Sequence, residues 1–499
     1  MSGNKLVKQS PFQELKVLEK RSSDAKQEDI PKTAASASPG DVVRAQRRLA
    51  EATGSKTATK GRSRHAPIEA FYDSERRLYL IRNSGERWLA YTTEQFKPRL
   101  RSMGFRSTVE KGEMVAPADR VLLWLQDNRD VRYAGPLAGR SSGFYGESGA
   151  RFLVTEDCQF IEPSKGEWPV LGTILQNLFV SSEPEHGSRQ WHTLLTWLKG
   201  TVQALRAGMF KEAQALAVAG PVRSGKSLFQ RLLTPLLGGR ECKPFGFMTG
   251  KTPFNAELFE AEHLALEDEH MSRKLSDRLQ LGAAIKGVVA NESHSCHRKY
   301  CTPITLRPFW RLTITLNDEP EALLVLPPLD DHVADKILLL RASRSPLPMC
   351  TTTHDDRAKL WQTLMAEVPA FLYYLLNEYE TPVELTDPRY VVAGFHHPEL
   401  AAALHMLSPA AALLNLIDTL TPWFTEREWE GTAESLRSEL MTETRTRDDA
   451  RRLLEWPQAC GNYLATLARK QPERVQQHRT STARNWIIRA PSNDAVTDD

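Results

Sequence analysis

"AVAGPVRSGKSLFQRLLTPLLGG", residues 217–239, decides how this chain is read. Small apolar residues run into a glycine-bearing loop, and apolar residues at helical spacing follow it. Gly220, Pro221, Val222, Arg223, Ser224, Gly225, Lys226 and Ser227 satisfy the pattern G-x-x-x-x-G-K-[ST]. Such a loop between strand and helix lets successive backbone N–H groups converge on phosphate oxygens, as does the following helix N-terminus. The lysine then reaches the β- and γ-phosphates and the serine hydroxyl ligates Mg²⁺. ATP with Mg²⁺ is the expected ligand pair, held by residues 220–227.

A phosphate loop needs a carboxylate for the metal and a group to activate water. "AEHLALEDEH", residues 261–270, supplies both. Leu264-Ala265-Leu266 reads as a strand ending in Glu267-Asp268. Glu267 is assigned to the Mg²⁺ shell with Ser227, and Asp268 to polarising the attacking water. Glu269 replaces either one if the strand register shifts, and a solvated acidic helix start is the bland alternative. A third strand, "RLTITL" at 311–316, ends in Asn317. An amide there can contact the γ-phosphate or orient the water, although Asn at a strand end is also ordinary turn chemistry.

Phosphate loop, acidic strand and Asn-tipped strand, in that order between Gly220 and Asn317, resemble the superfamily-three helicases of the phage and plasmid primase-helicase type. The resemblance implies an α/β P-loop NTPase core of AAA+-like class, assembled as a ring, expected to be a hexamer, with ATP between subunits. It also implies a hairpin inserted before the Asn strand, which grips single-stranded DNA in the ring channel. Here that segment starts at Ile285 and reads "IKGVVANESHSCHRKYCTPITLRPFWRLTITLN". Lys286 and the pair Arg298-Lys299 match the family's basic positions, with His297 beside them as a further DNA contact. The family adds an arginine finger donated to the neighbouring subunit. The equivalent stretch, "DDHVADKILLLRAS", offers Lys336 where arginine is expected, and Arg341 further on. A lysine is a point charge without the guanidinium fork, so this substitution matters.

His294, Cys296, His297 and Cys301 invite a zinc reading, but H-x-C-H-x₃-C fits no common structural-zinc spacing, and a tight hairpin turns neighbours to opposite faces. They read as hairpin surface. The six cysteines are scattered, which fits a reduced compartment rather than a disulfide framework.

The flanks complete the organisation. Residues 1–65 carry 14 Lys/Arg against 7 Asp/Glu, with Phe12 their only aromatic, and read as a disordered basic tail. It serves either as a solvated linker or as a non-specific nucleic-acid arm. Residues 66–185 read as an α+β accessory domain without chemistry, with a hairpin turning at Asn83-Ser84-Gly85 and short strands at "RFLVTE" and "QFIEP". Residues 186–345 hold the ATPase, opened by a long helix from Trp191 to Met209, and 346–407 form a helical lid or linker. Residues 408–499 read as three helices and a terminal hairpin, the winged-helix pattern, with Thr432 capping the second helix, Pro457 opening the third and Trp486 as a core anchor. Arg469, Lys470, Arg474, Arg479, Arg484 and Arg489 line its edge, and Arg479 and Arg484 are the expected duplex contacts. A protein-docking winged helix is the alternative.

Net charge is only +3, so nucleic-acid affinity has to come from local patches. Neither an apolar run of spanning length nor an N-terminal signal core is present, and a cytoplasmic protein is expected. Two functions follow. One is an ATP-driven, ring-forming DNA helicase replicating a mobile element, with any primase on a separate chain. The other is a nucleotide-switched DNA-binding ATPase, an initiator or defence protein, that does not unwind processively.

Overall fold

The computed structural model describes residues 68–83, 87–147, 149–267, 275–329, 332–421, 427–479 and 484–491. The basic tail, Asp268 and Glu269 lie outside the described residues. These fall into two compact units. The first comprises residues up to Val131 with Gly143–Phe152; the second comprises Arg132–Ser142 and everything from Leu153 onward.

In the first unit, strands Ile68–Asp73, Leu78–Asn83 and Leu89–Tyr91 form an antiparallel meander. The short strand Asp130–Val131 adds parallel to the first of them. The alternation read as one hairpin is therefore two. The additional turn, at residues 74–77, is held by the Asp73 carboxylate accepting from the Glu75 and Arg76 backbone N–H groups at 3.1 and 3.0 Å. Helices Thr93–Ser102 and Pro117–Asn128 cover one face through Phe96, Leu100, Val121 and Leu125, against Tyr79 and Ile81.

The second unit is built on a parallel sheet. Its strands are β1 (Ala215–Gly220), β2 (Glu241–Cys242), β3 (His263–Glu267), β6 (Arg311–Asn317) and β7 (Ile337–Arg341), in spatial order β7-β1-β6-β3-β2. Each neighbouring pair is parallel. Both faces of β1 are covered, which is why all six of its residues are buried and why the sequence shows a continuous apolar run rather than alternation. Helices α1 (Pro169–Leu178), α2 (Pro184–Arg206), α3 (Lys226–Leu236), α4 (Leu275–Ala290), α5 (His354–Tyr373) and α6 (Pro398–Met406) accompany the sheet. Between α4 and β6, strands β4 (His294–Cys296) and β5 (Ile304–Leu306) form a separate antiparallel hairpin.

Two segments pack across the expected borders. Leu171, Leu175 and Leu178 of α1 share one hydrophobic core with Trp197, Val218, Phe229 and Leu340, and residues from Leu153 onward lie in the second unit. Leu360, Leu364, Val368 and Phe371 of α5, in the segment expected as a helical lid or linker, enter the same core. An amphipathic helix shows that it needs a partner, not which partner, and this is what the sequence left open. The stretch "QFIEP" is not a strand; the Arg206 guanidinium donates to the Ile161 carbonyl, and the Gln159 N–H donates to Gly238 at 3.0 Å.

The C-terminal segment has its own core. Helices α7 (Pro409–Leu420), α8 (Ala433–Thr442), α9 (Arg447–Leu453) and α10 (Ala459–Lys470) surround Leu413, Leu436, Leu464 and Trp486. Its sheet has three strands, not two. β8 (Glu428–Thr432) pairs with β10 (Arg484–Arg489), which pairs with β9 (Val475–Arg479). Thr432 caps α8 in a capping box with Ser435, and the third of the expected helices starts at Ala459, two residues beyond Pro457. Among the described residues no single helix is long and apolar enough to cross a membrane.

Candidate functional site

In a parallel sheet every carboxyl end lies on the same edge, so Gly220, Glu267, Asn317 and Arg341, which end β1, β3, β6 and β7, share one edge. Strand order reverses at β1: the chain leaves it for the β2 side, returns to β6, then passes to β7 on the far side. Ligands of open α/β sheets bind outside the carboxyl ends at such a reversal. The loop at residues 221–225 lies there.

Two glycines make the loop possible. Gly225 precedes α3 with φ +101°, a left-handed conformation open to glycine without a Cβ penalty. Gly220 packs so closely on the following chain that a Cβ there would stand 2.3 Å from the Ala342 carbonyl oxygen. Arg223 is exposed and also adopts a positive φ, +63°, a strained conformation of the kind that clusters at ligand-binding loops.

Lys226 is only 6% exposed, and its ammonium donates to the carbonyls of Gly220 and Pro221, both at 2.8 Å. It also reaches Ser224 Oγ at 3.4 Å and Asn317 Oδ1 at 3.1 Å. The cation thus occupies the concavity of the loop and touches the tip of β6. Register explains the meeting: Asn317 stands opposite Gly220, and Glu267 stands opposite Thr315, two residues before Asn317. Glu267 is half-buried at the end of β3, Pro221 is half-buried in the loop, and Val222 in the loop and Ser227 in the first turn of α3 are exposed. Ser227 and Glu267 carry the oxygen chemistry that suits a hard divalent cation.

Two buried residues near this edge were not singled out by the sequence. Thr315 and Gln230 are 3% and 2% exposed, and among the described residues the Thr315 hydroxyl and the Gln230 amide find no hydrogen-bond partner. At the other end of β3, four residues before Glu267, His263 lies between Thr234 Oγ1 at 2.8 Å and Thr313 Oγ1 at 2.7 Å. Burial drives its pKa down to about 3. An interior Thr, Gln or His carries no motif, so only packing reveals them.

The two finger candidates separate. Lys336 precedes β7 and therefore lies at the opposite edge from the loop. It is 5% exposed, pairs with Asp335 and lies 5.6 Å from the Tyr390 ring. Arg341 ends β7 on the loop's own edge, where it pairs with Glu399 at 2.9 Å.

The inserted segment also divides. Lys286 is exposed but lies on α4, not on the hairpin. Asn255 fastens the hairpin base, donating to the Ser295 carbonyl at 2.9 Å and accepting from the His297 N–H at 2.6 Å. The His297 ring packs on Phe254 at 5.2 Å. Arg298 turns inward: its guanidinium lies 3.8 Å from the Tyr133 ring centroid and donates to the Ala134 carbonyl at 3.0 Å. Its side chain is 10% exposed. Arg298, expected as a DNA contact, is thus held by cation–π and hydrogen-bond partners inside the chain. Lys299 is exposed. Among the described residues no three or more His, Cys, Asp or Glu side chains gather as a metal-binding cluster, and burial raises the Cys296 thiol to about 12.

On the C-terminal sheet, Arg479 and Arg484 are exposed and stand directly opposite each other. Arg474 and Arg489 are used internally, with Asp418 at 2.6 Å and Glu428 at 3.0 Å.

No protein-family profile matches the chain, and no curated protein matches it in sequence. Among solved structures, an apo structure of the NrS-1 C-terminal region is similar over 85% of this chain and 96% of that one, with 12% identity and a TM-score of 0.48. A second NrS-1 C-terminal region structure, the A form, gives 14% identity and a TM-score of 0.47 over 85% of this chain and 97% of that one. The JCV helicase is similar over 48% of this chain and 66% of that one, with 14% identity and a TM-score of 0.24. These likenesses are weak, and the functional reading of this chain rests on its own geometry.

Proposed function

We propose that this chain is an ATP-dependent DNA helicase with an AAA+-like P-loop core, working as a ring, expected to be a hexamer, in the replication of a phage, plasmid or other mobile element. One observation carries the reading: Lys226 joins the glycine loop to Asn317 at the sheet edge where Glu267 also ends its strand. In this reading residues 220–227 cradle the triphosphate, Ser227 and Glu267 hold Mg²⁺, Asp268 polarises water and Asn317 senses the γ-phosphate. ATP with Mg²⁺ would supply the negative charge that draws Lys226 off the Gly220 and Pro221 carbonyls.

Single-stranded DNA is the proposed partner of the β4–β5 hairpin. Duplex DNA is the proposed partner of the C-terminal segment, read as a winged helix, through Arg479 and Arg484. Priming would fall to a separate chain. The test is strand displacement on a forked duplex. Unwinding that requires ATP and disappears in Lys226→Ala supports the helicase; ATP turnover without displacement at any protein concentration overturns it.

A second reading has an observation of its own. Lys336 and Arg341 are both engaged in ion pairs within the chain. A finger donated in trans accelerates turnover by about 10³–10⁵. A protein lacking one hydrolyses slowly and behaves as a nucleotide switch, which is the initiator- or defence-type alternative.

A further inference from the structure

We infer that Tyr300 is a base-stacking residue, presented by the hairpin tip to the unstacked bases of a single strand. The inference rests on the proposed single-strand contact of the β4–β5 hairpin and specifies what that contact recognises. Residues 298–301 form a turn closed by the Cys301 N–H donating to the Arg298 carbonyl at 3.2 Å. Tyr300 occupies its third position with φ +64°. That position favours Gly or Asn, because a side chain there crowds its own backbone. A bulky aromatic residue in this conformation is a true outlier.

No contact among the described residues repays the strain. Tyr300 is 89% exposed, the most exposed aromatic residue among the large exposed hydrophobic side chains. Its one ring contact among the described residues is Lys299, whose ammonium lies 5.0 Å from the centroid. The rest of the turn is anchored. Arg298, its first residue, is held by Tyr133 and Ala134, and Asn255 clamps the hairpin base. Anchoring the first turn residue inward projects the next two outward, so the tip offers an aromatic face with a cation beside it. Strand binding without sequence readout uses this pairing, in which the ring takes a base and the cation a phosphate. Arg298 is then a positioning residue for the tip.

The test compares binding of the full chain to a short oligo-dT and to an abasic strand of equal length and charge. Tyr300→Ala, Tyr300→Phe and Lys299→Ala are assayed beside the native protein. Stacking predicts that the native protein prefers oligo-dT and that Tyr300→Ala loses roughly 5- to 150-fold in affinity for it. Tyr300→Phe retains that affinity, abasic binding stays unchanged in both, and Lys299→Ala weakens both strands alike. Melting temperatures report on folding, and the exposed ring predicts no loss in Tyr300→Ala. If the native protein binds both strands equally, or Tyr300→Ala binds oligo-dT as the native protein does, stacking is overturned while the helicase reading stands. If the native protein binds neither strand, the proposed single-strand contact fails and the inference fails with it.

Discussion

The Lys226 ammonium lies 3.1 Å from Asn317 Oδ1, joining the glycine loop to the tip of the neighbouring strand. Asn317 is therefore expected to set where the lysine rests before nucleotide arrives. Asn317→Asp converts this hydrogen bond into an ion pair and adds negative charge where the triphosphate is expected. ATP affinity should fall at least about tenfold, roughly 1.4 kcal/mol, while the ligand-free protein melts no lower than the native one. Lys226→Ala should abolish turnover outright. Calorimetric titration with ATP and a melting curve read both outcomes, and an Asn317→Asp protein that binds ATP normally removes Asn317 from the site.

Gly220 is the loop position where substitution should be felt as structure. A Cβ would lie 2.3 Å from the Ala342 carbonyl, which is backbone and cannot swing aside. Gly220→Ala is expected to cost about 1–3 kcal/mol, the range for overpacking a filled interior. Urea unfolding reads the loss. An unchanged midpoint would mean that β1 and the chain after β7 separate readily.

What the sequence made legible and what it hid follow from length scale. The strand, glycine loop and helix around Lys226 are contiguous, so spacing alone exposed them, and apolar runs marked β3 and β6 with Glu267 and Asn317 at their ends. Adjacency is another matter. That Arg298 packs on Tyr133, 165 positions earlier in the chain, leaves no trace in the local pattern of either residue. The basic pair Arg298-Lys299 looked uniform, yet one residue is a strut and the other is exposed at the turn. The packing of α1 across the expected border at 185 was hidden similarly, because α1 shows an apolar face without naming its partner.

His263 gives the fold a pH signature. Burial lowers its pKa from 6.5 to about 3, so the folded state keeps the imidazole neutral where the unfolded chain protonates it. The unfolded state then binds more protons between those values, and stability rises with pH across that window. The contribution is fully present above the unfolded pKa and is lost as pH falls from about 6.5 toward 3, at up to about 1.4 kcal/mol per pH unit. Other histidines contribute, so the difference between native protein and His263→Asn isolates this one. Unfolding midpoints from pH 7 down to about pH 4 should converge for the two proteins, and parallel curves would contradict the neutral buried state.

Arg479 and Arg484 offer a sharper test of the C-terminal surface, because the two expected effects have opposite signs. The residues are direct partners on antiparallel strands, both exposed. Like charges facing each other across a ladder destabilise it by a few tenths of a kcal/mol to about 1 kcal/mol. Replacing Arg484 with Gln should thus hold or slightly raise the melting temperature. If the pair faces duplex phosphates, the same change should weaken duplex binding and reduce the slope of log affinity against log salt by about 0.9. A purely structural hairpin would show the first effect without the second. A protein-docking surface would leave duplex affinity and its salt slope untouched, and the C-terminal segment would then have to be read as an assembly module rather than a DNA contact.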